Sequence, residues 1–114
     1  MEKNPRFDVK YLPEAIEFIS SIDLKARIKV QYNINLSRYE QRKDLLKKLN
    51  DNIWEFRTLF NGKAYRLFAF WDNDSQAMIL ATHGIIKKTQ KTPLKEIEKA
   101  ERIMKRYFEE KTNK

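Results

Sequence analysis

Between residues 75 and 95 the chain carries His83, Lys87, Lys88, Lys91 and Lys95 and not one acidic side chain. Two arginines, Arg57 and Arg66, precede this stretch in segments that read as the two strands of a hairpin. Successive strand side chains point to opposite faces. Glu55 and Arg57 therefore share a face, and Arg66 and His83 each point away from their immediate neighbours. If these positions converge on an exposed concave side while Trp54, Phe56, Leu67 and Leu80 pack against helices, the sheet presents a cationic floor with a lysine loop as its rim. Such a surface suits phosphate, because a guanidinium stays charged and binds phosphate oxygens in pairs, and lysines at a loop reach a nucleic-acid backbone. Plainer roles stand beside these: a solvated basic turn, cross-strand ion pairs from Glu55 to Arg57 or Arg66, and a His83 that merely bonds a carbonyl. Imidazole, with an ordinary pKa of about 6.5, also suits proton transfer at neutral pH.

Other chemistries find few residues to carry them. The chain has one histidine and no cysteine, which leaves no zinc set, no disulfide scaffold and no thiol nucleophile. It lacks a Gly-rich phosphate loop and a nucleophile elbow, and its Asp and Glu residues do not cluster for magnesium. No metal or other cofactor is expected. A nuclease of this composition works on RNA, where the neighbouring 2′-hydroxyl attacks phosphorus and cations stabilise the dianionic phosphorane. Trp54, Phe68, Phe70 and Trp71 could stack on bases, although core packing is the commoner use of such rings.

With 114 residues, the chain fits one domain spanning 1–114. The 24 Lys and Arg outnumber the 16 Asp and Glu, giving a formal charge of +8, which favours nucleic acid, the ribosome, anionic lipid or an acidic protein as partner. The first residues lack the apolar core of a signal peptide and no apolar run approaches a membrane span of about 20 residues. A cytoplasmic protein without membrane association is the expectation.

The few glycines and prolines, Gly62, Gly84, Pro5, Pro13 and Pro93, parse the chain. Residues 6–11 alternate as a short strand, and Pro13 with Glu14 suits the first turn of a helix whose apolar stripe is Ala15, Ile16, Ile19 and Ile22. Asp23 caps a second helix that the spacing of Leu24, Ile28, Tyr32, Leu36, Tyr39, Leu46 and Leu49 carries to about residue 49, making a helical hairpin. Asn33, Asn35 and Ser37 are weak helix formers within it. Residues 53–60 and 64–71 read as strands joined by Asn61-Gly62, a hairpin turn. Residues 72–75 turn into a third strand over 76–86, completing an antiparallel meander. Thr92 and Pro93 offer a cap and first turn to a last helix with Ile97, Ala100, Met104 and Tyr107 on one face, and a tail that frays from residue 109.

Three of these segments carry a resemblance: Ile53-Trp54-Glu55-Phe56-Arg57, then Ala64-Tyr65-Arg66-Leu67-Phe68, then His83-Gly84-Ile85-Ile86-Lys87-Lys88-Thr89-Gln90-Lys91-Thr92-Pro93 followed by Glu96-Ile97-Glu98-Lys99-Ala100. In this order they resemble the phage-derived, HigB-like branch of the RelE/ParE toxin superfamily. The resemblance covers the C-terminal half, with the order of the preceding helices in agreement.

The resemblance implies an α+β, RelE-like fold, in which an N-terminal helical hairpin and a C-terminal helix pack on a small antiparallel sheet. It implies the toxin of a type II toxin–antitoxin pair, a ribosome-dependent endoribonuclease that cuts translated mRNA without a metal cofactor and is neutralised by a helix-turn-helix antitoxin. Position by position, Arg57 and Arg66 match the strand arginines that meet substrate phosphate, and Lys87, Lys88 and Lys91 match the basic loop. Arg57, Arg66, His83 and Lys88 are thus the candidate catalytic residues, and Lys87, Gln90, Lys91 and Lys95 the candidate RNA contacts. Ile85 replaces the usual Phe after His83-Gly84, which removes a ring from any codon-reading surface. The superfamily also holds inhibitors of DNA gyrase, so a ParE-like gyrase inhibitor and a non-catalytic RNA-binding module are the competing readings.

Overall fold

The computed structural model describes residues 4–74, 77–87 and 91–113. Five strands and three helices follow one another as β1 (Asp8–Tyr11), α1 (Pro13–Ser21), α2 (Leu24–Ser37), β2 (Leu46–Lys48), β3 (Trp54–Phe60), β4 (Lys63–Asp72), β5 (Met78–Lys87) and α3 (Leu94–Thr112). All five strands join one sheet in the order β1–β5–β4–β3–β2. The meander β3–β4–β5 is antiparallel as expected. The sheet as a whole is mixed, because β1 pairs with β5 in parallel. A purely antiparallel sheet is therefore corrected: the connection from β1 through α1 and α2 returns the chain on the far side of the sheet.

Local chemistry explains most of the boundaries. Asn61 and Gly62 both adopt positive φ, 52° and 78°, the backbone that a two-residue hairpin of matching twist requires. Pro13 opens α1, and the Asp23 carboxylate accepts the Ala26 N–H at 2.9 Å to cap α2. The expected continuous second helix stops at Ser37. There the Ser37 hydroxyl turns back to the Ile34 carbonyl, while the Arg38 side chain leaves the helix to donate to Phe7 O and Asp8 Oδ1. Residues 46–48, read as helix, form β2 on the edge of β3.

Helices cover both faces of the sheet. On one face Ala15 and Ile19 of α1 and Ala26, Val30 and Ile34 of α2 pack with Phe56, Tyr65, Leu67, Ala69, Ile79 and Ala81. On the other, Ala100, Ile97, Met104, Tyr107 and Phe108 of α3 pack with Ile53, Phe68, Phe70 and Leu80. The expectation that Leu67 and Leu80 share one buried face opposite an open one is thus corrected; they lie on opposite sides of a sheet covered twice. Nor is the tail frayed from residue 109 to 113, since α3 runs to Thr112 and its end is held by Tyr107 and Lys111 on the buried Asp72; Lys114 lies outside the described residues. Among the described residues no helix is long and apolar enough to cross a membrane.

One irregularity positions the polar residues. Leu67 pairs with Gly84 and Ala69 with Ala81, so Phe68 alone faces both Thr82 and His83. This bulge keeps His83 on the α3 side, where its ring stacks on Phe68 at 4.9 Å. It also points position 84 at α1, where a Cβ would overlap the Phe18 ring, so only glycine lets the helix lie this close.

Candidate functional site

Arg57 and Arg66 are direct partners in the β3–β4 register. Two like charges opposite each other on one face repel, and the carboxylate of Glu55 sits between them. Its Oε1 lies 3.5 Å from Arg66 Nε and its Oε2 3.6 Å from Arg57 Nε. Glu55 is 1% exposed and Arg66 9%, so the group is a largely buried charge cluster, with Arg57 its more exposed arginine.

The cluster extends on both sides by strand register. Lys47 of β2 stands opposite Glu55. Lys87, the last residue of β5, pairs with Ala64 and so lies diagonal to Arg66 on the same face. Its ammonium donates to Thr92 Oγ1 at 3.1 Å, and that hydroxyl donates to Glu55 Oε1 at 2.8 Å. Thr92 is therefore no helix cap: its hydroxyl serves the cluster, and Pro93, whose ring has no hydrogen-bonding group, occupies the N-cap position of α3. Glu55 thus accepts a hydrogen bond from Thr92 and is ion-paired with Arg57 and Arg66.

The arrangement leaves donors over. Arg66 directs one terminal nitrogen to the Tyr65 carbonyl at 3.1 Å, and Arg57 reaches the Lys43 carbonyl at 3.4 Å. Among the described residues the Nε–H of each arginine is buried without a hydrogen-bond acceptor: Glu55 is close enough to attract both and not aligned to bond either. A buried N–H without an acceptor is uncommon and calls for an explanation. Here the Glu55 carboxylate beside both nitrogens offsets the cost electrostatically.

Burial and like charge shape the proton affinities. Burial pushes Lys87 below the ordinary lysine range; Glu55 opposes this, and Arg66, Arg57 and Lys47 add to it. Burial likewise lowers Arg66, with Glu55 opposing and Arg57 adding. His83 is also held below its ordinary value, first by burial and then by Lys99, against the pull of Glu96 and Glu14.

The structure brings Arg57, Arg66 and Lys87 together. His83 shares their sheet face and is 3% exposed, its Nδ1 bonded to Thr82 Oγ1 at 2.9 Å and its Nε2 to Glu96 Oε1 at 3.2 Å. Both ring nitrogens are engaged, which ties β5 to the first turn of α3. Lys91 and Lys95 are exposed on the approach to α3 and in its first turn. Lys88 and Gln90 lie outside the described residues. Sequence reasoning missed Lys47 and Thr92. Lys47 was hidden by the helical reading of residues 46–48, and Thr92 by its resemblance to a cap.

Residues 17–105 match the family model of the phage-derived Gp49-like proteins (DUF891). The chain belongs to that Gp49-like family. Its fold is similar to that of a chain in the crystal structure of the toxin–antitoxin complex RelBE2 from Mycobacterium tuberculosis. The TM-score is 0.55 at 12% identity, over 74% of this Gp49-like chain and 100% of the other. Among curated proteins none matches the sequence. The family match spans every member of the cation cluster.

Proposed function

We propose that this Gp49-like chain is a toxin of the type II kind, of the HigB-like branch of the RelE/ParE superfamily, a single domain that cuts mRNA on the ribosome and is held in check by an antitoxin. The observation that carries the reading is the pair Arg57–Arg66, fixed by strand register around Glu55 with Lys87 diagonal to Arg66 on the same face. Likeness in fold to a chain from a toxin–antitoxin complex supports the same reading.

The chemistry follows from the groups at hand. The 2′-oxygen forms a bond to phosphorus and the bond to the 5′-oxygen breaks, leaving a 2′,3′-cyclic phosphate and a 5′-hydroxyl. Guanidinium groups that meet the non-bridging oxygens stabilise the charge that grows on them, the term that contributes most in such reactions. One proton leaves the 2′-hydroxyl and one reaches the 5′-oxygen. Lys87 is the group in the cluster whose lowered proton affinity suits such a transfer. Lys88, in the adjoining loop, is the second lysine for this role, and Gln90, Lys91 and Lys95 extend the RNA track. His83 acts through Glu96 and Thr82, holding β5 and α3 in place.

Inducing the chain alone in bacteria tests this. Growth should stop and translated transcripts should acquire discrete cuts with 5′-hydroxyl ends. Arg66→Ala should lower the cutting rate by about 10²–10³, and Arg66→Lys should restore little, since an ammonium lacks the fork. Circular dichroism of each variant confirms that it folds. Arrest with intact transcripts and broken DNA would move the reading to gyrase inhibition, and binding of RNA without cuts to a non-catalytic module.

A further inference from the structure

The fold leaves one feature unused. α2 has two apolar sides: Ala26, Val30 and Ile34 are buried against the sheet, whereas Leu24, Ile28 and Tyr32, each four residues from the next, are 64%, 59% and 59% exposed. Three large apolar side chains in a row along a helix over about 12 Å form a continuous ridge rather than scattered exposure. Beside it lies a groove of about 420 Å³ lined by Lys25, Ile28, Lys29, Tyr32 and Phe60, the last residue of β3.

Charge says what fits the ridge. α2 contains Lys25, Arg27 and Lys29 and no acidic residue. Arg27 is turned away, its guanidinium donating to the carbonyls of Ile19 and Ser20 at 3.0 Å at the end of α1. Lys25 and Lys29 remain as the rim, with the Lys29 ammonium 5.2 Å from the Tyr32 ring centre. A second copy meeting this face by two-fold symmetry would set the ridge and its lysines against themselves, a like-charge contact that costs free energy. A partner helix with an apolar stripe and carboxylates beside it meets no such penalty.

We propose that the outer face of α2, with the Phe60 groove, is the docking strip for the antitoxin, and that it receives an amphipathic helix with acidic flanks. This rests on the reading of the chain as a toxin. Tyr32 and Phe60 are the anchors, being the two aromatic rings that line the groove. The strip lies on the α1 and α2 side of the sheet and the Arg57–Arg66 cluster on the α3 side, so gripping the toxin and acting on RNA use different surfaces.

Ile28→Glu combined with Tyr32→Glu changes only exposed positions, and its melting temperature should stay close to that of the parent chain. The probe is the polypeptide encoded beside this chain, co-expressed and purified. The double variant should arrest growth as the parent does, escape rescue by that polypeptide, and bind it at least about 100-fold more weakly by calorimetry. Lys25→Glu with Lys29→Glu should weaken binding about tenfold, with most of the loss disappearing at high salt. Undiminished rescue and affinity in the Ile28/Tyr32 variant overturns the proposal, as does a parent chain that binds no such polypeptide. Sedimentation showing that the parent chain dimerises through Ile28 and Tyr32 assigns the strip to a second copy instead. Failure of the parent chain to arrest growth strikes the toxin reading, while the calorimetry still reports on the strip.

Discussion

At the scale of single residues the informative group is Thr92, whose hydroxyl accepts from Lys87 and donates to Glu55. A hydroxyl that accepts from an ammonium stabilises its charged form, so its removal takes the Lys87 proton affinity further in the direction burial already sets. Where neutral Lys87 takes the proton, cutting rises with pH through the Lys87 pKa. Thr92→Val keeps the shape and deletes the bridge. The rising limb of a pH–rate profile should move toward acid by roughly half a unit to one unit, a size common for a lost charge-assisted hydrogen bond, and Thr92→Ser should move it back. A variant that loses rate with no movement of the limb would show that Thr92 merely packs. Glu55 and Arg57 were legible from strand alternation, and Arg66 as the one charge among residues 64–71, the strand that returns from Asn61-Gly62. Their bridging partner was not, because nothing local in Thr92-Pro93 distinguishes a hydroxyl that caps a helix from one that reaches a carboxylate 37 residues away.

At the scale of elements, α3 is fastened at both ends to strands that precede it. Its first turn meets β5 through Glu96 and His83, and its last turn meets β4 through Tyr107 and Lys111 on Asp72. Burial by itself would raise the Asp72 proton affinity. Hydrogen bonds from Lys111, Tyr107 and the Asp74 N–H outweigh it and hold the carboxyl well below the usual carboxylate range. The folded protein therefore releases this proton more readily than the unfolded chain, and stability rises with pH in the interval between the two values. The contribution is complete above the ordinary carboxylate pKa of about 3.9 and is lost as the pH falls below it. Asp72→Ala should lower stability at neutral pH by about 2 kcal/mol, the order of lost hydrogen bonds to a buried charge. Thermal melting of parent and variant across pH 2–7 should give curves that converge in acid; parallel curves would show that the clamp does not titrate. Such long-range fastening also marks where sequence reading stopped. Asn61-Gly62 and Asp23 announce their turn and cap locally. β2 does not, because Leu45, Leu46 and Leu49 in a lysine-rich segment fit a helix equally well. Only register, with Lys47 opposite Glu55 and the Arg57 N–H donating to Leu45 O at 2.8 Å, makes it a strand. The bulge at Phe68 and the parallel partner of β1 are likewise decided by pairing, which no single segment encodes.

At the scale of the whole molecule, the excess of +8 is divided by the sheet. One face gathers Lys47, Arg57, Arg66 and Lys87 around a single buried carboxylate, and the opposite face carries the lysine-rimmed ridge of α2. An RNA backbone seated on the first face displaces counterions, and for a single strand log K falls with log salt with a slope of about −0.7 per phosphate neutralised. Three to five cations at the cluster and its loop therefore give a slope between roughly −2 and −3.5. Titrating the chain with a single-stranded RNA made uncuttable by 2′-deoxy substitution, between 50 and 300 mM salt, measures it directly. Lys47→Ala, exposed at the edge strand and outside the hydrogen bonds of the cluster, should reduce the slope by about 0.7 and weaken binding alike for every sequence tried. Lys25→Ala, on the other side of the sheet, should leave the slope unchanged. An RNA that loses its salt dependence equally with either substitution would mean that the charge of the molecule acts as one diffuse field. The division of labour between the two faces would then have no basis in RNA binding.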